Sequence, residues 1–266
     1  MVPLKVSRVD RANNCRPILS GREIDEYAHA VLEDYKPELL REPGRINFQH
    51  FLESYLGMHI LLYDIFNDEP DRPILAMTAF KEGKIKVFDR ENECVKKVIV
   101  PAHSVIIDNS VMDEDKMSLA LFSGMHEGGH ITMHWHVYTG ETIDGHCFDP
   151  DYEWDLSIEP IVCCRRGTIE SKANPKKERT LQEWLEYQAD YFAAAITMPN
   201  CTFRPFVNTA MREHNYYKGS ITLGKDEDLD ILALDLLPEA ISEVYGVSKR
   251  AARIKLKTAN FVTGRV

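Results

Sequence analysis

A chain of 266 residues, 44% of them hydrophobic, can bury one sizeable core without staples, or one domain plus a helical appendage. Its 32 basic against 42 acidic residues give a net charge of -10, which argues against a surface built throughout to grip nucleic acid or anionic lipid. The six cysteines are scattered and read as reduced thiols, Met1 to Cys15 offers no apolar signal-peptide core, and no run approaches the ~20 apolar residues of a bilayer span, so a cytoplasmic protein is expected.

Residues 1–20 read as an N-terminal segment leading into a helix. Ser20 and Glu23 have the spacing of a capping box, and Ile24, Tyr27, Ala28, Val31 and Tyr35 recur at helical intervals, which predicts a helix over about residues 21–36. Asn47 can cap a second helix, with Phe48, Phe51, Leu52, Tyr55 and Leu56 as its apolar stripe and Gly57 as its stop. From His59 the pattern turns to short β-branched and aromatic runs: His59 to Phe66, Ile74 to Phe80, Lys84 to Asp89, and Val95 to Asp108 around Pro101. These predict a small twisted sheet, with a tight hairpin at Gly83 and with Pro101 at an edge or bend, because proline cannot donate to a ladder.

Asp113 opens a helix to about Tyr138 that is apolar on more than one side and is therefore expected to be buried. Residues 139–179 are polar and read as long surface loops, after which a helix spans about Leu181 to Thr197 and stops at Pro199. From Asp226 the tail reads as two or three helices, the last two joined at Gly246 with Ser248 as a cap. The expected fold class is α+β, with one domain over residues 21–200 and a helical C-terminal region over 201–266 packed on it.

The residues His126-Glu127-Gly128-Gly129-His130 spell HExxH. On a helix, histidines four apart lie on one face and can reach one ion, while Glu127, about 100° round, sits where it can take a proton from a metal-bound water. The later helix adds Glu186 and Asp190, one turn apart: one carboxylate can ligate, and the other can accept the ring N–H of a ligating histidine. Two histidines and a glutamate with one open position form a known catalytic zinc set, so Zn2+ on His126, His130 and Glu186, with Glu127 as general base, points to amide hydrolysis. Gly128, Gly129, Ala189, Ala193, Ala194 and Ala195 read as small residues that let the two helices approach closely.

Several other residues compete for roles. His136 stands six after His130, the spacing of the third histidine in HExxHxxGxxH, but the turning glycine of that pattern is Met133 here, so Glu186 is the preferred third ligand and His136 its rival. His134, one turn beyond His130, is read as a neighbour of the ligands, a substrate contact or simply a hydrogen-bonded helix-end histidine, and Tyr191, His214 and Tyr216 are candidate oxyanion partners. His146-Cys147 and Cys163-Cys164 lack CxxC spacing and read as ordinary thiols rather than a second zinc site. The segment Glu239 to Phe261 looks like half of a helix-turn-helix with Lys249, Arg250, Arg253, Lys255 and Lys257 on one side, yet its apolar residues favour packing onto the body over DNA contact.

At His126 to His130 and Glu186 to Pro199 the chain resembles the ImmA/IrrE metallopeptidases, whose hallmark pairs HExGH with a later ExxADxFAAxxxMP. The resemblance extends to Ile85-Lys86-Val87, to Val105-Ile106-Ile107-Asp108 and to Val247-Ser248 with Ala251-Ala252, and so covers most of residues 45–262. The chain departs from the pattern in two places: at Gly128, where the family carries a larger apolar residue, and at Ile196-Thr197, in place of a pair of aliphatics. The resemblance implies a compact zincin-like fold, His126, His130 and Glu186 as ligands, Glu127 as catalytic base, and a narrow, regulated protease. It further implies a protein substrate such as a helix-turn-helix repressor, in stress responses or mobile elements. The competing expectation is a regulatory protein that uses the same metal-stiffened fold to hold a repressor or DNA without cutting.

Overall fold

The computed structural model describes residues 2–69, 71, 73–141, 161–165 and 179–264, with the backbone alone at 163–165. Helix α1 (Gly21–Tyr35) begins at Ser20, where both halves of the expected capping box are made, and it buries Ile24, Tyr27, Ala28, Val31 and Leu32. Helix α2 (Phe48–His50), capped by Asn47, loosens into a π-turn over Phe51–Tyr55, and Gly57 ends it at φ 71°.

Six strands follow: β1 (His59–Tyr63), β2 (Ile74–Ala79), β3 (Gly83–Asp89), β4 (Cys94–Val100), β5 (Ser104–Asp108) and β6 (Ile161–Arg165). A four-stranded sheet has the order β1-β5-β2-β6, parallel between β1 and β5 and antiparallel elsewhere. Strands β3 and β4 form a separate hairpin, and Pro101 lies at the bend between β4 and β5.

Two expectations are corrected here. Gly83 does not turn a hairpin between β2 and β3: both sides of β2 are already taken by β5 and β6, so Gly83 instead opens β3 opposite Val100. The β3-β4 turn falls at residues 90–93, where Glu93 takes φ 48°. The stretch 139–179 is not loop throughout, since β6 adds to the sheet beside β2; its apolar run is too short for periodicity to separate strand from loop.

Strand β2 is buried along its whole length, and its side chains alternate between two faces. Met77 and Ala79 face Ile85 and Val87 of the hairpin, whereas Ala76, with Val105 and Ile107 of β5, joins the main helical core. Thr78 shares the helical side, which brings it to the next element, helix α3 (Met117–Thr139).

Helix α3 is entered through a 3-10 turn, Glu114–Lys116. Asp113 therefore stands a turn ahead of the α-helix and takes an ion pair from Lys116 at 2.7 Å instead of capping it. Gly140, left-handed at φ 74°, closes α3. Helix α4 (Leu181–Thr197) starts at a Thr180–Glu183 capping box. After Pro199 comes helix α5 (Asn200–Glu213), within the region expected to be helical, and it accommodates an internal Pro205.

The tail consists of α6 (Glu227–Ile231), a π-turn over Leu232–Leu236, α7 (Leu237–Tyr245) and α8 (Lys249–Thr258). Gly246 is left-handed at φ 72°, and Ser248 caps α8 through the Ala251 amide, as expected. Ile221–Thr222 pairs in parallel with Val262–Thr263. Phe203, Tyr245 and Leu256 of these helices belong to the same buried cluster as Met125 and Met133 of α3 and Phe192 of α4. The architecture is the α+β, zincin-like one expected, and no described helix is long and apolar enough to cross a membrane.

Candidate metal centre

Helix α3 stays regular through the HExxH residues, so His126 and His130 stack on one face with Nε2 atoms 3.1 Å apart. Helix α4 supplies Glu186, whose Oε2 lies 3.4 Å from His126 Nε2 and whose Oε1 lies 3.3 Å from His130 Nε2. All three are buried, and they form the one His/Cys/Asp/Glu cluster among the described residues with metal-binding geometry. Zinc bonds of ~2.0–2.1 Å in a tetrahedral arrangement require donor atoms roughly 3.3–3.4 Å apart. The spacing and chemistry of this donor set therefore fit a single small divalent ion.

The approach of the two helices is set by a glycine. A Cβ on Gly129 would lie 3.0 Å from Ala189 Cα and 3.2 Å from its carbonyl oxygen. Gly128 does not share this contact, contrary to expectation. It faces the π-turn, where a Cβ would meet the Phe51 ring at 3.0 Å, so Phe51 occupies the space that a larger residue at 128 would fill. Thr197, the other departure, returns its hydroxyl to the Ala193 carbonyl at 2.6 Å and leaves its polar group satisfied inside the core.

Asp190 Oδ1 lies 2.8 Å from His126 Nδ1. Burial disfavours charge on His126, but hydrogen bonds and charge from Asp190 and Glu186 outweigh it and raise the pKa to about 10. Burial likewise acts to raise Glu186, yet its hydrogen bonds to His126 and His130 hold it well below the ordinary carboxylate range. Gln182, one turn earlier on α4, donates to Glu186 Oε1 at 2.9 Å.

Glu127 reaches the sheet. Its Oε2 accepts the Thr78 hydroxyl at 2.5 Å, while Oε1 is buried with no hydrogen-bond partner among the described residues. Burial raises its pKa, and the two histidines and Thr78 offset part of that rise.

His134 touches the cluster directly: its Nδ1 is 3.1 Å from His130 Nδ1 and its Nε2 is 2.8 Å from Gln188 Oε1. His136 is not brought to the cluster, because α3 continues as a helix past Met133 and turns it to the Cys15 carbonyl, 3.1 Å from Nε2. The Tyr191 hydroxyl goes to Asp25 at 3.2 Å and that of Tyr216 to the Ser220 carbonyl at 2.6 Å, while His214 stands at the end of α5. None of these three is engaged with the cluster.

Lys249 pairs with Glu239 at 2.6 Å, Arg253 binds the Leu234 carbonyl at 2.6 Å and Asp235 at 3.0 Å, and Lys255 is buried, so three of the five cations on this side of α8 are engaged within the tail. His146 and Cys147 lie outside the described residues, as do the side chains of Cys163 and Cys164; Cys15, Cys94 and Cys201 are free thiols.

Thr78, Gln182 and Gln188 were not singled out by sequence. Gln182 had a local signal, one turn before Glu186. Thr78 had none, since nothing in a β-strand announces which helix it will face.

Residues 167–257 match the family model described as the IrrE N-terminal-like domain, Peptidase M78. This match agrees with the resemblance to the ImmA/IrrE metallopeptidases over that part of the chain. The matched segment includes Glu186, Asp190 and most of the C-terminal helices, and it begins after the HExxH helix. A comparison with curated proteins returns no match.

Proposed function

We propose that the chain is a zinc-dependent endopeptidase in which His126, His130 and Glu186 hold the metal and Glu127 is the general base. The observation that carries this reading is three buried side chains that converge: the two histidine Nε2 atoms are 3.1 Å apart, Glu186 faces His130 through Oε1 at 3.3 Å and His126 through Oε2 at 3.4 Å, and the residue after His126 carries a Glu127 carboxylate oxygen that has no partner among the described residues. When bound there, zinc supplies Lewis-acid polarisation of a peptide carbonyl and makes water acidic enough to attack it near neutral pH.

The rest of the chemistry belongs to the chain. Thr78 pins one oxygen of Glu127, and the other is left to take a proton from the attacking water and pass it to the departing amide nitrogen. Asp190 accepts the Nδ1–H of His126 and so keeps Nε2 aimed at the ion. Burial of the whole cluster excludes bulk water and strengthens each of these interactions.

The proposed substrate is a regulatory protein such as a helix-turn-helix repressor in the cytoplasm, with a role in stress responses or mobile elements; the support is the family resemblance. Glu127→Gln tests the enzymatic reading. The variant is expected to retain one zinc per chain and to lose cleavage of a co-expressed regulator. If the zinc-loaded variant keeps full biological activity, the chain acts by binding and not by cutting.

A further inference from the structure

We infer that Gln188 is a positioning residue that fixes which ring nitrogen of His130 carries hydrogen, acting through His134 and anchored on the main-chain carbonyl of Pro17. The inference rests on the ligand set proposed above and concerns how that set is prepared.

The argument runs along one chain of hydrogen bonds. The Pro17 carbonyl can only accept, so the Gln188 atom 2.8 Å from it is the amide nitrogen. Gln188 Oε1 is then the atom that faces His134 Nε2 at 2.8 Å, and an amide oxygen also only accepts, so His134 Nε2 carries hydrogen. The two ring nitrogens of His134 face an amide oxygen and another imidazole, and among the described residues no hydrogen bond or ion pair to a carboxylate reaches either of them to balance a charge on this fully buried ring. In the neutral ring Nδ1 is an acceptor.

His130 Nδ1, 3.1 Å away, must therefore be the donor, so that a neutral His130 ring, as ligation of a metal requires, offers its lone pair at Nε2. That nitrogen is the one directed at His126 and Glu186. The opposite tautomer would place a hydrogen where the ion must bind.

The anchor is held firmly. Asn14 donates to the Val137 carbonyl at 3.2 Å, and the Cys15 carbonyl lies 3.1 Å from His136 Nε2. Residues 14–17 thus run along the second half of α3, and Gln188 reaches from α4 to meet them.

The test reads tautomers in the metal-free, full-length chain by long-range nitrogen–proton NMR on labelled histidines, beside zinc affinity by competition with a chromophoric chelator. Wild type is expected to show His130 with hydrogen on Nδ1 and His134 with hydrogen on Nε2. Gln188→Met, which keeps length but removes the amide, is expected to show mixed tautomers at both rings and zinc affinity about tenfold to a hundredfold weaker. The wild-type spectrum decides the matter even if that variant fails to fold. A His130 Nδ1 without hydrogen in wild type, or unchanged tautomers and affinity in a folded Gln188→Met, would overturn the inference. Wild-type tautomers as expected in a chain that takes up zinc but cuts nothing would support the relay and count against the peptidase reading alone.

Discussion

The hydroxyl of Thr78, on the strand flanked by β5 and β6, donates to Oε2 of Glu127 at 2.5 Å and divides that carboxylate into a held oxygen and a free one. The hydrogen bond orients the proposed base without touching the donor atoms of the proposed metal cluster. Thr78→Val removes the bond and keeps the shape. A hydrogen bond to a charged group contributes about 1.5–3 kcal/mol, so the cleavage rate is expected to fall roughly ten- to hundredfold with zinc content unchanged. Thr78→Ser should recover most of the rate, measured as single turnovers of zinc-loaded protein. Loss of zinc in Thr78→Val would instead make Thr78 part of the scaffold that holds the metal.

His136 and Glu186 make contrasting predictions for metal content. Elemental analysis is expected to find one zinc per chain in wild type and in His136→Ala, and none in Glu186→Ala. Because His136 binds the Cys15 carbonyl, its removal should register in stability, at about 1–3 kcal/mol, and not in metal. Metal lost with His136 and kept without Glu186 would reverse the ligand assignment.

Adjacent glycines should respond unequally. At Gly129 a methyl group meets the backbone of Ala189, which cannot give way unless α3 and α4 separate and spread the donor atoms. At Gly128 it meets the edge of the Phe51 ring, a side chain that can shift. Gly129→Ala is expected to cost about 1–3 kcal/mol in denaturant unfolding and to weaken zinc binding, while Gly128→Ala leaves zinc affinity within about twofold. Equal effects on zinc from the two changes would mean that the glycine contact does not set the helix spacing.

Protons and metal compete at His126. Its pKa rises from the ordinary 6.5 to about 10 in the metal-free fold, so the fold holds an extra proton between those values. The stabilisation is fully present below pH 6.5 and is lost as pH rises through 10. Metal binding must expel that proton, so apparent zinc affinity is expected to climb about tenfold per pH unit across the same window. Stability of the metal-free chain and zinc affinity should therefore slope in opposite directions, and Asp190→Asn should flatten both. Denaturant melts and chelator competition over pH 6.5–10 measure the two slopes. Parallel slopes would mean that His126 holds no such proton.

What the sequence made legible was whatever depends on neighbours along the chain. Ser20 with Glu23, Gly246 with Ser248, and the spacing of His126, His130, Glu186 and Asp190 all act over one helical turn. Strand pairing does not. Ile161–Arg165 joins the sheet beside a strand more than eighty residues earlier, and its few apolar residues carry no period. The bounds of helix α5 within the helical C-terminal region are not local either: propensity weighs the hydrogen bond lost at Pro205 but not the burial of Phe203 and Val207. Likewise, nothing local told that Gln188 would find Pro17 or that Thr78 would find Glu127.

The parallel pair Ile221–Thr222 and Val262–Thr263 joins residues 41 apart and gathers the helices between them into a closed ring. The Ile221 amide donates to the Phe261 carbonyl at 2.8 Å and the Leu223 amide to that of Thr263 at 2.9 Å. Such a clasp makes opening of the tail a shared event: α8 cannot fray from its own end without releasing the chain at 221–223, and a weakened clasp loosens both ends of the ring together. Tolerance of this region to insertion should therefore be sought within the ring, at exposed turns, and not at its neck.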